Sequence, residues 1–213
     1  MTTPANPQPK RALILIDVQN EYVSGKLRIE YPPIEESLAN IAQAAAAAVR
    51  LGIPIVTVQQ NAPAESPVFA KGSPSWALHP VVAELPSALH VEKALPSALA
   101  GTGLGDWLKA NAIDTLTVAG YMTHNCNAST ILDAAHQGWS VEYLSDASGA
   151  LPYANRAGSV SAREIHTVYC TVFQTRFAAV LSTSEWLNAL QTGTPPERDN
   201  ILASNQRAVA GVA

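Results

Sequence analysis

A chain of 213 residues, 47% of them hydrophobic, carries enough apolar surface for the core of one α/β domain. Its formal net charge of -4 comes without long runs of one sign, which removes the electrostatic footprint that nucleic acid or an anionic membrane demands and leaves small-molecule partners. Cys126 and Cys170, its two cysteines, make neither a disulfide framework nor a zinc spacing, and they suit a reducing, cytoplasmic setting.

Residues 1–10 are polar, hold three prolines and read as extended or disordered; they contain no apolar signal region, and no later run is long enough to span a bilayer. The apolar run at 11–16, closed by Asp17, reads as a central parallel strand buried on both faces. A loop follows at 21–33. The five alanines from Ala44 to Ala48 lie in a predicted long helix at 34–51 stopped by Gly52. A second strand is expected at 53–59. Residues 61–80 then place four prolines and a glycine around Trp76 and His79, and a loop of this length inside a domain suggests a lining of the site.

A short third strand at 88–92 leads to Lys93, a short helix falls within 101–111, and 114–119 reads as a fourth strand. The chain then passes Gly120 and enters a segment with helical periodicity that stops at Gly138, so that Cys126 falls at or near a helix N-terminus. Such a position favours thiolate over thiol, and the sequence therefore predicts a Cys126 pKa below the ordinary value. A fifth strand at 140–146, a long helix at 153–174, a sixth strand at 177–181 and a short helix from 184 complete the pattern. No strong pattern follows Thr192. The expected organisation is one domain at 11–191 with a tail at 192–213. Six strands alternating with helices predict a three-layer α/β/α fold around a doubly wound, six-stranded parallel sheet.

Ligands of such sheets bind beyond the carboxyl ends of the strands, where the winding reverses. Three reactive side chains are expected at that edge: Asp17 after the first strand, Lys93 after the third and Cys126 after the fourth. A carboxylate beside a thiol can serve as its base, and an ammonium stabilises both charged forms. Cys170, among Val168, Val172 and Phe173, reads as core. His124 points to a rim or subunit contact, while His79, His90, His136 and His166 show no metal-ligand spacing.

Three ordered motifs carry a further likeness: Asp17-Val18-Gln19-Asn20-Glu21-Tyr22; Glu92-Lys93 with Pro96-Ser97-Ala98-Leu99 and Gly101-Thr102-Gly103-Leu104; and Gly120-Tyr121-Met122-Thr123-His124-Asn125-Cys126. On these the chain resembles the isochorismatase-like cysteine hydrolases, relatives of nicotinamidase and N-carbamoylsarcosine amidase, from about residue 11 to 187. The resemblance implies a Rossmann-like strand order and a catalytic triad of Asp17, Lys93 and Cys126. It implies a cis Tyr121-Met122 peptide and an oxyanion hole from the backbone N–H groups of Met122 and Cys126. It also implies a substrate pocket including Gln19, Tyr22, Trp76 and Tyr121. Metal-dependent nicotinamidases carry Asp-x-His after the second strand, where this chain has Gln59-Gln60-Asn61, so no catalytic metal and no cofactor are expected. Cys126 favours attack on an amide or related C–N bond, with a vinyl ether hydrolase or a catalytically silent binding domain of the same fold as alternatives. A homo-oligomer, dimer or tetramer, is the expected assembly.

Overall fold

The computed structural model describes residues 8–211, so the expected extended segment at 1–10 lies largely outside the described residues. Strands β1 (Arg11–Ile16), β2 (Ile55–Gln60), β3 (Ser87–Lys93), β4 (Thr115–Tyr121) and β5 (Ser140–Gly149) precede an antiparallel hairpin of β6 (Tyr153–Asn155) and β7 (Gly158–Val160), and β8 (Ala179–Leu181) follows. Six of these make one sheet in the order β3-β2-β1-β4-β5-β8, with every pairing parallel. From β1 the chain winds outward through β2 to β3, then returns to place β4 on the other side of β1. The reversal lies between β1 and β4.

Apolar runs without polar alternation form the central strands because both faces are covered. Leu13 and Leu15 point into one core with Ile41 and the alanines of helix α1 (Ile34–Leu51), and Trp186 reaches it from the C-terminal part of the chain. Ala12, Ile14 and Ile16 point into the other, which is completed by Leu104 and Leu108 of α3 (Leu104–Ala110) and Ile131 and Ala134 of α4 (Ala128–His136). Along the chain between α1 and α3 comes α2 (Pro80–Ala83), a single turn capped by the His79 ring. At Gly120, φ is 107° and an added Cβ would stand 2.1 Å from the Ile16 carbonyl oxygen, so only glycine lets β4 approach β1 so closely at the reversal.

Two expectations need correction. The predicted helix at 153–174 begins only at Ala162: α5 (Ala162–Val172) is preceded by the β6–β7 hairpin. The Asn155 side chain accepts the Ala157 N–H to form the turn, and Ser161 and Glu164 make a reciprocal cap that starts the helix nine residues late. The tail is not patternless either. After α6 (Thr183–Thr192), helix α7 (Ile201–Val209) starts from Asn200, whose side chain accepts the Ala203 N–H.

A buried ion pair ties three strands of the sheet to α6. Arg11 donates to Glu142 through Nε and Nη2 at 2.8 to 3.0 Å, and Glu142 also accepts from Thr117 Oγ1 at 2.7 Å and Trp186 Nε1 at 2.9 Å. Paired, hydrogen-bonded charges of this kind escape the penalty of an isolated buried ion.

Candidate active site

The end of β1 delivers Asp17 in a left-handed backbone conformation, φ 50°, which an aspartate tolerates better than most residues and which turns its side chain off the strand line. Lys93 is the last residue of β3. Cys126 lies in a wide π turn, Thr123–Asn127, that continues directly into α4. It therefore sits two residues ahead of the regular helix. The Tyr121–Met122 peptide that joins β4 to this turn is cis.

These elements bring the three side chains together from across the sheet. Lys93 Nζ lies 2.8 Å from Asp17 Oδ2 and 3.3 Å from Cys126 Sγ, and its ammonium is aligned on Gln60 Oε1 at 2.6 Å. All three are withdrawn from water: Asp17 is 0% exposed and Lys93 and Cys126 are each 3% exposed. Gln60 had only been noticed as a departure from a metal-binding pattern. Its position at the end of β2, between the strands that supply Asp17 and Lys93, was the signal for its role as the lysine's third partner.

The electrostatics reverse one expectation. Burial pushes the Cys126 thiol up, and the Asp17 carboxylate pushes it further, while Lys93 pulls it down. The expected lowering by the helix terminus and Lys93 takes no account of desolvation, which is the largest effect and which the Asp17 carboxylate reinforces. Burial also raises Asp17, against the lowering effect of Lys93 and Cys126. Lys93 moves up because its attraction to Asp17 and Cys126 outweighs its burial. The resting state is thus a buried carboxylate–ammonium pair beside a neutral thiol.

The remaining expected residues fall behind and around this group. Gln19 is fully buried; its amide donates to the Trp76 carbonyl at 2.6 Å and the Gln60 carbonyl at 3.1 Å, and accepts from the Gln60 N–H at 2.9 Å. Trp76, half-buried, donates from Nε1 to Asn61 Oδ1 at 2.7 Å, so the long 61–79 loop is pinned to the ends of β1 and β2. Tyr22 packs between Phe69 and Tyr121, with ring centroids 5.2 and 5.6 Å away. Tyr121 is fully buried and its hydroxyl pairs with Ser37 of α1 at 2.6 Å. Among the described residues no group of three or more His, Cys, Asp or Glu side chains is placed to hold a metal, and no helix is long and apolar enough to cross a membrane.

A hydrogen-bond chain that sequence reasoning missed supports the nucleophile turn. Tyr143 donates to Thr123 Oγ1 at 2.9 Å, and Thr123 meets His166 Nδ1 at 2.8 Å. The second ring nitrogen of His166, Nε2, faces along α5 towards Cys170. Cys170, expected as core, is only half-buried and lies 3.5 Å from that nitrogen.

A parallel α/β sheet thus holds a buried carboxylate, ammonium and thiol at its winding reversal, the place where ligands of such sheets bind. The isochorismatase domain family matches residues 11–185, and the chain belongs to that family. It is an isochorismatase-family hydrolase. A crystal structure of a putative isochorismatase from Burkholderia xenovorans is 60% identical, with a TM-score of 0.94 over 96% of this chain and 98% of that one. The secreted isochorismatase effector Isc1 of Verticillium dahliae is 32% identical over 64% of this chain and 71% of its own. The ureidoacrylate amidohydrolase RutB of Methylobacterium radiotolerans is 28% identical over 68% of this chain and 71% of its own.

Proposed function

We propose that the protein hydrolyses a small carboxamide or ureido-type C–N bond through a thioester on Cys126. The observation that carries this reading is the Lys93 ammonium held between Asp17 and the Cys126 sulfur, all three buried at the sheet's reversal. The amidohydrolase named among its relatives supports the choice of bond.

In the first half-reaction Asp17 takes the thiol proton as Sγ adds to the substrate carbonyl carbon, so no free thiolate need accumulate despite its raised pKa. The carbonyl electrons move to oxygen, and the N–H groups of Met122 and Cys126 receive that oxyanion. Protonated Asp17 then gives its proton to the nitrogen as the C–N bond breaks and the amine leaves. In the second half, Asp17 takes a proton from water, hydroxide adds to the thioester carbonyl, and collapse returns the electrons to sulfur. Asp17 returns its proton to sulfur, which regenerates the thiol and the carboxylate, and the carboxylic acid departs. Lys93 keeps Asp17 ionised in a site that would otherwise protonate it. Tyr22 and Trp76 bound the substrate pocket, while Gln19 and Tyr121 brace it from behind.

Mass spectrometry of the protein mixed with a pooled library of small amides tests the covalent step. An acyl increment on the peptide holding Cys126, absent in Cys126→Ala, is the expected result. Turnover of an identified amide by Cys126→Ala at the wild-type rate would show that sulfur is not the nucleophile.

A further inference from the structure

Beside the nucleophile turn, under the β6–β7 hairpin, lies a cavity of about 270 Å³ walled by His124, Tyr153, Val160, Ile165 and Tyr169, with Asn155 at its edge. Nothing in the mechanism uses it. His124 precedes Cys126 by two residues in the same π turn, so the cavity lies against the turn that carries the nucleophile. Its walls carry no Lys, Arg, Asp or Glu. Both His124 ring nitrogens are shielded from solvent and have no hydrogen-bond partner among the described residues. The Tyr153 ring stands edge-on to the imidazole at 4.8 Å and Tyr169 is tilted at 6.3 Å.

Buried polar atoms are nearly always satisfied, so a shielded imidazole with neither nitrogen paired marks where a partner goes. Burial holds His124 down to about 4, and at neutral pH it offers one donor and one acceptor but no charge. An anion would enter this cavity with no cation to meet it, at a large desolvation cost. A flat group stacks against the tyrosines and hydrogen-bonds the histidine without that penalty.

We propose that this cavity is the specificity pocket of the enzyme, taking an uncharged, flat, ring-type substituent of the substrate that bears a hydroxyl or carboxamide paired to His124. The assignment rests on the proposed amide hydrolysis at Cys126 and selects among its substrates: neutral ring-bearing amides are accepted and amides whose far end is a carboxylate are rejected. His124 and Tyr169 set that preference, and the hairpin roofs it.

Binding to Cys126→Ala, which cannot turn over, is measured by calorimetry for benzamide, for 3- and 4-hydroxybenzamide, and for 4-carbamoylbenzoate. The better hydroxybenzamide should bind about tenfold tighter than benzamide, and the carboxylate at least about tenfold weaker. Adding His124→Leu should erase the advantage of the hydroxyl while leaving benzamide itself bound, and His124→Gln should restore it. The comparison is between ligands on one protein, so a general loss of fold cannot mimic it. Equal binding of the carboxylate, a hydroxyl advantage that survives His124→Leu, or no binding by any of the four overturns the pocket. Ammonia release from the same compounds by the unaltered enzyme is read separately: selective binding without hydrolysis leaves the pocket standing and removes the amide chemistry, and hydrolysis indifferent to the distal group does the reverse.

Discussion

At the scale of single residues, two opposite charges beside the sulfur set how readily the thiol gives up its proton. Asp17 raises the Cys126 pKa and Lys93 lowers it, so the two variants should move thiol reactivity in opposite directions. Asp17→Asn keeps the shape, removes the repelling carboxylate and leaves the ammonium 3.3 Å from sulfur. Alkylation by iodoacetamide at pH 7 should therefore become faster than in the unaltered protein, while hydrolysis falls by about 10² to 10⁴ because the proton acceptor is gone. Reactivity and turnover part company. Parallel loss of both would mean that Asp17 supports the fold of the site and does not exchange protons with the thiol. That Asp17, Lys93 and Cys126 would come together was legible because each ends or follows a strand of the parallel sheet within a specific motif. The direction of the thiol's shift was not, since it depends on burial that spacing along the chain does not report.

At the scale of elements, the central strands were readable because a parallel strand covered on both faces is a continuous apolar run, and β1, β2 and β4 were placed within a residue or two. The segment at 153–174 failed for a local reason. Its residues carry helical spacing only from Ala162, and the sequence Ser161-x-x-Glu164, a capping box, stood in plain view as the true start. Gly158, at φ 149°, was a second sign that no helix passes through. The tail helix α7 has no buried residue, so it offered no apolar stripe to detect. The capping box itself is testable. Ser161→Ala removes the acceptor for the Glu164 N–H and should lower the free energy of unfolding in urea by about 1 kcal/mol. It should also loosen the hairpin roof, because Ile165, one turn into α5, is a wall of the cavity beneath it. An unchanged urea midpoint would show that α5 is held by its packing alone.

At the scale of the whole molecule, the winding reversal between β1 and β4 gathers groups from both layers, and the coupling extends past the triad to His166 on α5. That ring is 5% exposed, bonded to the nucleophile turn through Thr123, and held down to about 4 by burial first and by the neighbouring His124 second. An unfolded chain takes up a proton at this histidine below about pH 6.5, whereas the folded protein refuses it until about pH 4. The unfolded state therefore binds more protons across that window, and the stability contributed by the neutral ring is present above it and lost as pH falls through it. At pH 5 the loss is about 2 kcal/mol at most. Asp17 acts in the opposite sense, because its raised pKa lets the folded state hold a proton that the unfolded chain has released, so net acid sensitivity alone cannot identify the histidine. The difference between two proteins can. Urea midpoints of the unaltered chain and of His166→Gln, which keeps a polar partner for Thr123 but cannot titrate, should diverge on going from pH 7 to pH 5, with the unaltered chain losing more. Identical losses would place the acid sensitivity elsewhere in the fold and leave His166 a purely geometric brace of the nucleophile turn.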